Sequence, residues 1–152
     1  MAQTTAEARQ EILDAIAGAT DEIGTALALL SEAYERLDEQ SADRLEQDLF
    51  QPVQTAYGRA RRTHSEFAAR SGLPGRVFAP ASTPPPSQSV RDLLTGTVEA
   101  AATADTTLAT LQDSMAPVEF GDPELRAGLS EVRRLLGDVQ TRAHELMRTV
   151  GR

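Results

Sequence analysis

From Leu125 onward, Leu129, Val132, Leu136, Val139, Ala143, Leu146 and Val150 follow one another at alternating steps of four and three. That is the a/d spacing of a helix laid lengthwise on other helices; a strand, with its period of two, cannot satisfy it. Such a helix draws most of its stability from the surface it packs on, so the rest of the chain has to supply that surface.

Three further segments repeat the pattern. The first spans about residues 5–38, with a seam of Ile12, Ile16, Ala19, Ile23, Ala26, Leu30, Ala33 and Leu37. A flanking column of Leu13, Thr20, Leu27 and Tyr34 widens its stripe. The second spans about 41–71, with Leu45, Leu49, Val53, Ala56, Ala60, Thr63 and Phe67 in the seam and Phe50, Tyr57 and His64 beside it. Ser41 is its expected N-cap, and Gly72-Leu73-Pro74 its stop. Pro52 lies inside this helix, where proline costs roughly 3 kcal/mol, so a kink or a break is expected there. The third spans about 90–115, opening on a Ser89/Asp92 capping box, with a seam of Val90, Leu94, Thr97, Ala101, Ala104, Leu108, Leu111 and Met115. The fourth spans 123–150, with Asp122 as N-cap and Pro123 at the first helical position.

Residues 73–88 hold Pro74, Pro80, Pro84, Pro85 and Pro86 and form an extended linker. At about 3.1 Å per residue it can reach about 50 Å, roughly the length of a 30-residue helix. It is therefore long enough either to turn back at one end or to cross the whole molecule, and the direction of the third helix relative to the second stays open. Val77 and Phe78 are the residues expected to pin it to the core. Taken together, the segments predict an all-α fold: a four-helix bundle of two helical hairpins joined by a proline-rich linker, one domain over residues 1–152.

Composition narrows the function. The chain lacks cysteine and tryptophan, and all 15 of its basic residues are arginine, which matches the codon usage of a GC-rich bacterial genome. Disulfides, thiolate catalysis and lysine chemistry are excluded. The first residues carry no basic-then-apolar run, and no apolar stretch approaches a membrane span, so the expectation is a cytoplasmic protein with no membrane contact. Net charge is −8 and unevenly placed: residues 1–50 carry 12 acids and 3 arginines, whereas residues 51–76 carry five arginines and one acid. Nucleic acid is not an expected partner. Arg59, Arg61 and Arg62 form a candidate anion patch, with a solvated helix face as the plainer alternative.

No catalytic motif accompanies the helices. His64 and His144 both lack the glutamate three residues earlier that a di-iron bundle uses. A haem between them would need the second and fourth helices to run in parallel; each histidine is expected instead at a boundary or facing solvent. There is no Gly-x-Ser-x-Gly elbow and no phosphate-binding loop. No cofactor, metal or enzymatic activity is expected. The mid-helix seams are small: Ala19 and Ala26, Ala56 and Ala60, Thr97, Ala101 and Ala104. Such residues let helix axes approach to about 8 Å, or they leave a void. The void would form a mid-bundle pocket edged by Thr20, Tyr57, Thr97 and Asp105. Two functions remain: a non-enzymatic protein acting by protein–protein interaction or self-association, possibly as a homodimer, or a small-ligand binding or sensor domain using that pocket.

Overall fold

A computed structural model describes residues 3–150. Met1, Ala2, Gly151 and Arg152 lie outside it, as does the side chain of Val150, the last seam position of the fourth helix. Among the described residues every regular element is helical. They are α1 (Thr5–Arg36), α2 (Glu39–Leu45), a π-helical turn (Glu46–Phe50), α3 (Gln51–Ser71), α4 (Val90–Asp113), α5 (Ala116–Glu119) and α6 (Pro123–Val150). No helix is long and apolar enough to cross a membrane among these residues.

Capping sets the boundaries. Thr4 caps α1: its hydroxyl accepts the Glu7 amide, and the Glu7 carboxylate accepts the Thr4 amide. α1 stops at Arg36, two residues before the expected end, because Asp38 is occupied in capping α2. The Asp38 carboxylate accepts both the amide and the hydroxyl of Ser41, at 2.8 and 3.1 Å, so Ser41 is a capped residue and not the cap. Gly72 ends α3 at φ 66°, with the Leu73 amide donating back to the Ala68 carbonyl at 2.9 Å. The Ser89/Asp92 box opens α4 as expected. α4 ends at Asp113, short of Met115, which adopts φ 66° and turns the chain into the single turn of α5. Asp122 caps α6 by accepting the Leu125 amide at 2.8 Å.

Helical backbone runs on past Pro52, with a short helix and a π turn before it and the longer α3 after it. The turn before it widens, and the Gln51 amide donates to the Glu46 carbonyl, five residues back. A π turn holds one extra residue, which relieves the pressure of the proline ring on the preceding turn. It also corrects the phase. Leu45, Leu49 and Val53 are spaced four and four, a drift of about 80° in a regular α-helix. With the extra residue absorbed, all three are fully buried.

The long helices pack as neighbours in a ring: α1 lies on α3 and α4, and α6 also lies on α3 and α4. Side-chain pairs give the directions. Arg70 binds Asp122, Thr63 faces Gly128 and Arg59 pairs with Glu131, so α3 and α6 are antiparallel. Asp105–Arg133 and Thr95–Met147 make α4 and α6 antiparallel. Ile12 shares a cleft with Thr107 and Leu111, and Leu29 meets Gly96, so α1 and α4 are antiparallel too.

α3 therefore ends where α1 begins, and α4 begins where α1 ends. Residues 73–89 must cross the molecule lengthwise; residues 74–83 follow the groove between α1 and α3, and Gln88 borders the α1–α4 side. Arg76 reaches Asp21, Phe78 reaches His64, and the Gln88 carbonyl accepts from Arg36 at the far end. From Asp21 to Arg36 the helix rises about 22 Å, whereas an extended chain from Arg76 to Gln88 reaches about 37 Å. The crossing is slack, so it lies on the groove without filling it.

The small seam residues turn inward. Ala19, Ala26, Ala56, Ala60, Ala101 and Ala104 are all buried, as are the α6 seam residues from Leu125 to Leu146. At Gly128 a Cβ would run into Thr63, whose hydroxyl is fixed by donating to the Arg59 carbonyl at 2.8 Å. Gly137, on the same helix, faces open space. Two opposite outcomes follow. Gly128→Ala should lower stability by about 1–2 kcal/mol despite its better helix propensity. Gly137→Ala should raise it by about 0.5–1 kcal/mol. Urea denaturation of both variants measures the contrast, and equal shifts would contradict the close α3–α6 contact.

Candidate functional site

The groove between α1 and α3, with residues 74–83 lying over it, gathers most of the chemistry that the core does not use. α1 contributes small residues, Ala17, Gly18 and Gly24, which leave room beside the helix. α3 contributes Tyr57, Arg61 and His64, one per turn along the face toward α1. Arg61 stacks over the Tyr57 ring at 5.1 Å, and a Cβ at Gly24 would sit 3.3 Å from that ring.

Phe78 is the pivot of the crossing segment. Its ring meets the His64 imidazole edge to face, with centroids 5.3 Å apart and planes at 89°. Arg76 stacks over Phe78 at 4.8 Å and donates to both oxygens of Asp21, at 3.1 and 2.9 Å. Val77, between them, is 94% exposed. Phe78 alone thus makes the apolar anchor that both residues were expected to make; in an extended segment neighbouring side chains point opposite ways.

An open cleft lies on each side of this anchor. One, about 520 Å³, is walled by Gln10, Asp14, Asp21, His64 and Arg76. The other, about 430 Å³, is walled by Leu27, Glu35, Tyr57, Arg61, Phe78 and Pro80, with further contributions from α1 and the crossing segment.

His64 is buried, with 3% of its surface exposed, against the boundary position expected for it. Its Nδ1 is sealed and has no hydrogen-bond partner. An N–H there would lack an acceptor, so the packing favours neutral imidazole with its proton on Nε2. Burial pushes the His64 pKa below its ordinary value of 6.5, and the positive charge of Arg76 pushes the same way, while Asp14 opposes them. Because α3 and α6 are antiparallel, His64 lies near the level of Gly128, about 24 Å along α6 from the exposed His144. The two imidazoles do not face a common point. Among the described residues no three His, Asp or Glu side chains are grouped to hold a metal ion.

Thr20, Tyr57, Thr97 and Asp105 do not edge one cavity. Thr20 and Thr97 are fully buried, and each hydroxyl donates to a carbonyl of its own helix, Ile16 and Leu93 respectively. Asp105 accepts from Arg133 at 2.8 Å on the outer side of α4 and α6. Only Tyr57 lines one of the clefts described above. The arginine trio divides as well. Arg59 pairs with Glu131 on α6 at 3.1 Å, Arg61 covers Tyr57, and Arg62 is exposed. Arg59's charge is matched by Glu131, while Arg61 and Arg62 stay exposed.

Asp14, Asp21 and Arg76 were not singled out in the sequence. The available signal was the alternation Arg76-Val77-Phe78-Ala79-Pro80, basic and aromatic side chains two apart in a segment too rich in proline to be helical. No protein-family model matches the chain, and no curated protein or solved structure matches it either.

The His64 shift has a defined sign. The unfolded chain takes up a proton near pH 6.5, and the folded chain only at lower pH. Below about 6.5 the unfolded state therefore binds more protons, and stability falls as pH falls. The melting temperature should drop between about pH 7.5 and 5.5, above the range where carboxylates titrate. In His64→Leu the drop should be much smaller; an unchanged slope in that variant would assign the pH dependence elsewhere.

Proposed function

We propose that the chain is a four-helix bundle of two helical hairpins, α1 with α2–α3 and α4 with α6, tied by its proline-rich residues, and that it acts without catalysis, by protein–protein interaction, in the cytoplasm. The interacting surface is the α1–α3 groove. One observation carries this reading: the groove already holds an extended segment, Arg76 to Thr83, through a single aromatic anchor and an exposed ion pair, with open clefts on both sides. An exposed pair contributes about 0–1 kcal/mol, and an edge-on aromatic contact about 0.5–1.5 kcal/mol beyond its burial. The covering segment is thus weakly held over a face where Leu27 and Tyr57 are only partly buried against the core.

The small-ligand reading keeps one point in its favour. The cleft beside Tyr57 is about 430 Å³, within the roughly 300–1,000 Å³ of small-molecule sites. It is a surface cleft and not the mid-bundle pocket.

A photo-crosslinking amino acid placed at Leu27 tests the reading in the native cell, with Thr141 on the outer face of α6 as the comparison. The expected result is a discrete crosslinked protein product, either another protein or the dimer, from Leu27 and none from Thr141. Crosslinking at Thr141 alone, or at neither site, would remove the groove as the interaction surface. A ligand that co-purifies with the chain and is displaced by bulk at Gly24 would favour the small-molecule reading instead.

A further inference from the structure

We infer that the α1–α3 groove is a recognition site for an extended segment of another protein with the pattern basic–x–aromatic–x–proline, and that residues 76–80 occupy it in cis as a stand-in. The inference rests on the proposed interaction role and names the partner's chemistry.

The stand-in shows what each subsite accepts. Asp21 receives a guanidinium through both carboxylate oxygens. The next side chain, Val77, contributes nothing, being directed at solvent. The His64 imidazole receives an aromatic ring in a perpendicular contact, and the segment's own Arg76 stacks over that ring. Two residues further on, Pro80 enters the wall of the second cleft. Alternate side chains read alternate subsites, which is how an extended segment is recognised. Charge fits as well: residues 1–50, which include α1, carry 12 acids against 3 arginines, so a basic residue in the incoming segment is drawn to that side.

The fit in cis is incomplete. Ala81 and Thr83 border a cleft of about 430 Å³ that neither fills. A segment carrying a larger apolar side chain where Ala81 stands would bury more of Leu27 and Tyr57. This also argues for another protein over a second copy. A second copy would bring the same imperfect segment, without the roughly millimolar effective concentration that tethering gives the one in cis.

The test uses a fluorescein-labelled peptide spanning residues 74–84, the same peptide with Ala81→Leu, and a scrambled control, each titrated into the full chain. Arg76→Ala loosens the segment at an exposed ion pair, so that variant should stay folded, as checked by its melting curve; Phe78→Ala is the stronger form. The Ala81→Leu peptide should bind the Arg76→Ala chain saturably and about tenfold more tightly than the native peptide. Wild-type chain should bind about tenfold more weakly, since its own segment competes. Adding Asp21→Asn should weaken binding by up to about fivefold. Failure of both peptides to bind a folded Arg76→Ala chain overturns the inference, as does equal binding of the scrambled peptide. Dimerisation of the loosened chain that the peptides do not reverse would make a second copy the occupant and also overturn it. If the peptides fail while Leu27 still crosslinks in the cell, the interaction surface stands and only its assigned specificity is lost.

Discussion

The chain has to travel from one end of the molecule to the other between α3 and α4, and the character of the α1–α3 face follows from that crossing. Every pair of neighbouring long helices is antiparallel. With α4 starting beside the end of α1, no short turn can join it to α3. A helix there would need its own apolar face and a cover for it. A proline-rich segment needs neither, because its backbone is at home in water and its dihedrals are already restricted. The crossing needs only a few holding points, and it has three: Asp21, His64 and Arg36.

Helix packing makes room for this arrangement. The centre is built from alanines and from threonines, and the hydroxyls of Thr20 and Thr97 are satisfied within their own helix. Bulk comes from every long helix: isoleucines and leucines of α1, Phe67 of α3, leucines of α4, and leucines and valines of α6. Chemistry excluded from the interior collects on the outside, where the acidic first helix meets the arginines of α3 and the crossing segment. The same segment turns a histidine that would otherwise sit at a boundary into a buried one.

Much of the architecture was legible because it depends on local rules. The a/d seam of α6 is buried at each position from Leu125 to Leu146, and the caps at Ser89 and Asp122 lie where side-chain chemistry puts them. What escaped depends on relations between distant residues. The wide turn before Pro52 was latent in the four-and-four spacing of Leu45, Leu49 and Val53, which shows its meaning only once all three must face one core. The path of the linker was not legible, because its length satisfies either connection. The groove was invisible for the same reason: His64, Asp21 and Phe78 become neighbours only when the direction of α4 is known. Small seam residues left a central pocket and close approach both open, and steric contact between α3 and α6 at Gly128 belongs to the second.

The direction of α4 against α1 is the claim on which the crossing, the strapped groove and its proposed use all rest. Because the chain has no cysteine, spin labels can be placed at will. Labels at Glu11 and Thr110 and, separately, at Glu11 and Thr95 compare one end of α1 with both ends of α4. Glu11 and Thr110 border the same cleft, so that pair should show contact-range broadening, while Thr95 should lie about 22 Å further along the axis. The reverse order, with Thr95 close to Glu11 and Thr110 remote, would place the linker at one end of the molecule and contradict the account.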